Sequence, residues 1–108
     1  MDEAEMLALA KNILGITNNT EDTVLLAYLR AAGKEILQWR YGATGNVPDT
    51  VPAEYELTQV FAVVSGYTQR GAEGQTWFAE NGVMRTFHYD DMIQYIRRNV
   101  VQLVGVPR

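Results

Sequence analysis

The dipeptide Asn81-Gly82 stands between two short runs, Gln75-Thr76-Trp77-Phe78-Ala79 and Val83-Met84-Arg85-Thr86-Phe87-His88. It restricts the fold more than any other feature of the chain. A two-residue type I′ turn needs positive φ at both central residues, and this pair tolerates it. The segment predicts a β-hairpin at about 75–79 and 83–88. An isolated hairpin is marginal in water and wants a neighbour. In an otherwise helical chain, the hairpin is therefore a candidate docking element. Gly71-Ala72-Glu73-Gly74 precedes it and reads as a helix stop followed by a hinge at Gly71 and Gly74.

The rest of the periodic sequence is helical. Met6, Leu9, Ala10, Ile13 and Leu14 recur at helical spacing, and Gly15 stops the run. Asp2, Glu3 and Glu5 suit the positive end of that first helix. Thr17-Asn18-Asn19-Thr20 supplies capping residues, with Asn19 or Thr20 placed to accept from the first free amides. A long helix follows from about Glu21 to Tyr41, with Leu25, Leu29, Ala32, Ile36 and Leu37 in one stripe and Val24, Tyr28, Trp39 and Tyr41 widening it. Gly33 inside it costs about 1 kcal/mol against alanine. That predicts close approach of another backbone, within the fold or between subunits. After a Gly/Asn/Asp/Pro-rich loop, Pro52 opens a helix over about 53–70, with Leu57, Val60, Phe61, Val64 and Tyr67 inward. Asp90 or Asp91 caps a last helix, Met92 to about Val100, and Leu103–Arg108 is an extended apolar tail. The expected fold is mainly α: a small helical bundle with a long central helix and one β-hairpin between the last two helices, in a single domain over 1–108.

Composition narrows the function. With no cysteine there is no disulfide framework and no thiolate metal site. The opening Met1-Asp2-Glu3-Ala4-Glu5 is unlike a secretory signal. No segment approaches the roughly 20 apolar residues that cross a bilayer, so a soluble chain without a membrane partner is expected. The net charge of −4 argues against a protein that grips phosphate backbones. Residues 1–56 hold nine acids and four bases, and residues 57–108 hold four acids and five bases. That asymmetry is either surface scatter or an acidic face that avoids adhering to nucleic acid.

Enzyme constellations are missing. His88 is the sole histidine, sharing a strand face with Thr86 and Met84, and reads as a surface or packing residue. Glu21-Asp22 and Asp90-Asp91 precede helices, where caps and dipoles explain them. The Gly71–Gly74 stretch follows no strand and lacks the Lys-Ser/Thr of a phosphate loop. No catalytic residue, cofactor or metal is expected. Trp77 and Phe78 point to opposite faces of one strand, so one of them should meet another surface; core filling is the alternative. Asn81, Gly82, Arg85 and Phe87 complete this docking set. Arg97-Arg98 suits a helix C-terminus, and weak nucleic-acid contact is its rival reading.

The chain resembles the head–tail connector proteins of long-tailed phages, also called head-completion or adaptor proteins and often labelled DNA-packaging proteins. The likeness rests on Arg70-Gly71-Ala72-Glu73-Gly74, the Glu80-Asn81-Gly82-Val83 turn, Arg85-Thr86, Asp90-Asp91-Met92 and the closing Val104-Gly105-Val106-Pro107. Two places depart from the pattern: Thr68-Gln69, where an Asn and a basic residue are expected, and Trp77-Phe78, where smaller polar residues are common. The resemblance implies a homo-oligomeric ring of about twelve copies with closed cyclic symmetry. It implies binding beneath the portal protein, extension of the DNA channel, and a surface for a tail-side stopper or tail-completion protein. DNA would pass without sequence-specific binding. The virion head–tail interface would be its location, and the host cytoplasm its place of assembly. Glu21, Asp22 and Glu35 on the long helix are then candidates to face the channel. The rival reading is a small regulatory module that docks a host or phage protein through its hairpin.

Overall fold

The computed structural model describes residues 1–71 and 87–103. Among them are four helices and no strand: α1 (Glu3–Leu14), α2 (Asp22–Tyr41), α3 (Glu56–Gly71) and α4 (Tyr89–Asn99). The hairpin expected at 75–88 lies outside the described residues, apart from Phe87 and His88. Those two rest on a helix, with His88 extended and its N–H donating to the Gly66 carbonyl at 3.0 Å.

Local chemistry sets the ends. Asp2 caps α1 in a full capping box with Glu5, which satisfies two donors that would otherwise be orphaned. Gly15, at φ 76°, ends α1 in the left-handed conformation, and the Ile16 N–H reaches back to the Lys11 carbonyl at 2.9 Å. Glu21 occupies the N-cap of α2 without a side-chain cap bond. The expected caps are used elsewhere: Asn18 accepts from Thr20, and Asn19 accepts from Lys11. Pro52 opens a 3₁₀ turn (Ala53–Tyr55) and the α-helix begins only at Glu56. His88, not Asp90 or Asp91, takes the N-cap of α4, so the last helix starts three residues earlier than expected. The two aspartates serve its first turn instead.

Three ties fix the directions. The Met1 amine pairs with Glu56 at 2.8 Å, Arg30 with Glu3 at 2.7 Å, and Lys11 with Asp22 at 2.8 Å. Helix α1 therefore runs beside α3 in the same sense and against α2. Helices α2 and α3 pack on each other, and α1 and α4 each lie against both. The core between them holds Leu25, Leu29 and Ile36 of α2, Val60 and Val63 of α3, and Met92 and Ile96 of α4, all fully buried. Each such side chain contributes about 1.5–3 kcal/mol by leaving water.

The expected stripes need correction in three places. On α3, Leu57 is 50% exposed and Phe61 39%, while Gln59, Ala62 and Val63 are buried with Val60 and Tyr67. Val24 is 46% exposed and Ile13 41%. Contacts at two positions on α3 explain its rotation. The buried Gln59 side-chain amide donates to the Leu29 carbonyl at 2.7 Å. Gly66 takes the ring of Phe87 so closely that a Cβ there would stand 2.5 Å from its Cζ. Turning α3 to bury Leu57 and Phe61 would aim both positions away from their partners.

Gly33 also has a different cause from the one expected. The nearest atoms there belong to side chains and not to a second backbone. A Cβ there would meet the Gln59 amide nitrogen at 2.9 Å and Val51 at 3.4 Å, so the glycine makes room for a side chain. Gly33→Ala should destabilise the fold by about 1 kcal/mol, because losing the buried hydrogen bond outweighs the gain in helix propensity. In a Gln59→Ala background the same change should become neutral or stabilising, a reversal that urea unfolding of the four chains would read directly. Gly66→Ala should cost about 2 kcal/mol by displacing Phe87; an unchanged urea midpoint would refute this account of α3.

Candidate docking surface

The described structure places Phe87 in an aromatic cluster. Its ring stacks on Tyr28 with centroids 3.7 Å apart and meets Tyr67 edge-on at 5.2 Å; Tyr28 and Tyr67 meet at 6.5 Å. Pairs of this kind contribute about 0.5–1.5 kcal/mol each beyond their buried area. The chain leaves α3 at Gly71 and is back on the same helix at Gly66 by the time it reaches His88. The ring of Phe87, expected to face a partner, is half-buried within the fold. Trp77, Phe78, Asn81, Gly82, Arg85 and the hinge residue Gly74 lie outside the described residues. Gly71 is the last residue of α3.

The three candidate channel acids are spread along α2. Glu21 sits at the start of α2. Beside it, Asp22 holds Lys11, whose ammonium also donates to Asn19 at 2.8 Å. Glu35 lies about 20 Å further along α2 at 1.5 Å per residue, where its carboxylate accepts from the Tyr89 hydroxyl at 2.9 Å. Burial, and then this hydrogen bond, raise the Tyr89 phenol above its ordinary range.

The end of α2 does work that the sequence did not advertise. The Trp39 indole N–H donates to the Val100 carbonyl at 3.0 Å, and the Arg40 guanidinium donates to the Val101 carbonyl at 2.8 Å. The Leu103 N–H in turn donates to the Arg40 carbonyl at 2.8 Å, using an acceptor that the helix end leaves free. Arg40 also covers the rings of Tyr41 and Tyr55, and Arg97 covers Trp39 at 5.2 Å. Trp39-Arg40 thus secures the chain that follows α4. An aromatic–basic pair closing a long helix was the only available signal.

The surface offers shallow features. A cleft of about 460 Å³ opens between α1, α2 and the start of α3, lined by Arg30, Lys34, Asp49, Val51 and Gln59 among others. Among the described residues, no three His, Asp or Glu side chains gather as a metal site, and no helix is long and apolar enough to cross a membrane. Exposed apolar side chains include Leu57 and Phe61 on α3 and Ile13 on the neighbouring helix, with Val24, Val47 and Val101 elsewhere.

A family model described as phage gp6-like head-tail connector protein matches residues 4–98. No curated protein and no solved structure matches the chain.

The Tyr89–Glu35 contact gives a pH signature. A raised phenol pKa favours the neutral ring in the folded state. The stabilisation is present at neutral pH and is lost as pH climbs through the raised value. Glu35→Gln should bring the Tyr89 titration down toward that of an ordinary tyrosine, without removing the part due to burial. Tyrosine ring-carbon NMR, with Tyr89→Phe to assign the signal, would check it; an unmoved titration would dissociate the two groups.

Proposed function

Because the chain belongs to the phage gp6-like head–tail connector family, we propose that it is a ring-forming structural subunit at the junction of phage head and tail. The match over residues 4–98 carries this reading, since it spans all four helices. Copies close into a ring of about twelve by contacts between unlike faces. The ring sits beneath the portal protein, continues the DNA channel and offers its far side to a stopper or tail-completion protein. Its role is mechanical and non-catalytic. It resides in the virion and is assembled in the host cytoplasm.

Two features support assembly. A chain of 108 residues buries a modest core, yet Leu57, Phe61, Ile13 and Val24 remain in water. Such side chains are stabilised when another surface covers them. The hairpin expected from the sequence supplies a docking element for ring or portal assembly through Trp77 and Phe78, with Asn81, Gly82 and Arg85 shaping it and Gly71 and Gly74 as its hinge. Glu21, Asp22 and Glu35 contribute negative charge to the channel side. Carboxylates cannot make the charge-assisted contacts that hold phosphates, and their repulsion fades beyond roughly 8 Å at physiological salt.

Electron microscopy of the protein with its portal should show a ring on the portal's narrow end; persistent monomers beside bare portals would refute the assignment. Trp77→Ser with Phe78→Ser should leave the helical spectrum intact and weaken portal binding at least tenfold. Equal binding, or unfolding, would sink the docking role. Reversing Glu21, Asp22 and Glu35 to Lys should slow genome ejection from assembled particles, most at low salt, and unchanged kinetics would remove these acids from the channel.

A further inference from the structure

We propose that the flank of the bundle formed by α1 and the Leu57–Phe61 edge of α3 receives the α4 flank of a second copy of this chain, side by side and at the same height. The proposal rests on the ring reading above and names the two faces that the ring would join.

The position of the apolar edge follows from α3 itself. Round that helix, at about 100° per residue, Gly66 meets the start of α4, Gln59 meets α2 and Glu56 meets the Met1 amine ahead of α1, in that order. Leu57 and Phe61 come next, beyond α1. They are 50% and 39% exposed, and on α1 Ile13 is 41% exposed. Helix α4 lies on the opposite side of the α2–α3 pair, since α1 and α4 each pack on both of those helices. The two flanks therefore face away from each other, as a contact between unlike faces requires.

Charge selects the occupant. Helix α1 carries Asp2, Glu3 and Glu5 at its start and Lys11 in its last turn. Helix α4 carries Asp90 and Asp91 in its first turn and Arg97 and Arg98 in its last. Among the described residues neither Arg97 nor Arg98 makes an ion pair. The helices run in opposite senses, α1 with α3 and α4 against it. The Met1–Glu56 pair and the His88–Gly66 bond set both against the α3 ladder. At 1.5 Å per residue, Arg97 is level with the acidic start of α1, and Glu5 is level with Gln94. Cyclic symmetry sets equal residues at equal heights, so with the bundle along the ring axis the acidic start of α1 faces the basic end of α4. Tyr89, 39% exposed, is the apolar side chain that the α4 flank leaves in water.

The absence of cysteine makes the test clean. A chain carrying both Ala8→Cys and Gln94→Cys is assembled with portal, checked for rings by electron microscopy, treated with a short thiol cross-linker and run on a denaturing gel. A ladder of linked multimers that needs both substitutions is the expected result. Rings without a ladder would overturn this pairing of flanks and leave the ring reading standing. Dimers from either single substitution would mean like faces in contact, and would also overturn it. If the unsubstituted chain forms no ring, the ring reading fails and takes this one with it. Independently, Leu57→Asp with Phe61→Asp should keep the urea midpoint of the monomer and raise the concentration for half-assembly at least tenfold; assembly at the original concentration would refute the role of this edge.

Discussion

The bond from the Gln59 amide to the Leu29 carbonyl, laid across Gly33, sets the rest of the bundle. The carbonyl belongs to α2 and is reachable because residue 33 has no side chain to cover it. The amide belongs to α3 and is buried, so losing its partner would leave a polar group in the core at a cost of about 1–3 kcal/mol. An apolar stripe can slide or turn with small penalties, but a buried amide has few acceptable positions. Gln59 thus fixes both the height and the rotation of α3 against α2. With that rotation set, Gly66 faces the returning chain, Phe87 finds Tyr28 and Tyr67, and α4 starts where His88 is held.

That dependence explains which parts of the fold were legible. The long helix was, because Leu25, Leu29, Ala32, Ile36 and Leu37 are spaced for one buried face and all five are buried. Helix α3 was only half legible. Its sequence carries two apolar edges a fraction of a turn apart, Val60–Val63–Tyr67 and Leu57–Phe61, and hydrophobicity alone does not choose between them. The choice was made by a glutamine and a glycine, residues that a search for apolar periodicity discards. Gly33 stands out in the sequence, yet what fills its place is the side chain of Gln59 and not a second backbone. The start of α4 was not legible, because His88 takes the N-cap without a side-chain bond.

The candidate site divides in the same way. Family resemblance was legible in the Arg70–Gly74 and Asp90–Met92 stretches, and the family match over residues 4–98 agrees with it. The anchoring role of Trp39-Arg40 was not, because its bonds run to backbone carbonyls of residues 100 and 101, which carry no sequence signature. Phe87 was grouped with the docking aromatics by its place on an expected strand. The glycine at 66 that admits its ring between helices could be recognised only once the register of α4 on α3 was known.

A structural subunit of this size faces opposing demands. It must be folded before assembly, so its core has to hold with the assembly surfaces still in water. It must also keep enough apolar surface exposed for assembly to be favourable. Here the two are separated by residue type. The interior registers through Gln59, Gly33 and Gly66, which have no use for the outer edge of α3, so Leu57 and Phe61 are left free of any role in holding the bundle together. The exposed ion pairs Glu3–Arg30 and Met1–Glu56 contribute little to stability, since solvent screens them. Their value lies in orientation, because they hold the start of α1 against α2 and α3 and so determine what charge that flank presents. In the ring proposed above, an acidic helix start and a basic helix end at equal heights on opposite sides make each copy complementary to the next and not to itself turned about.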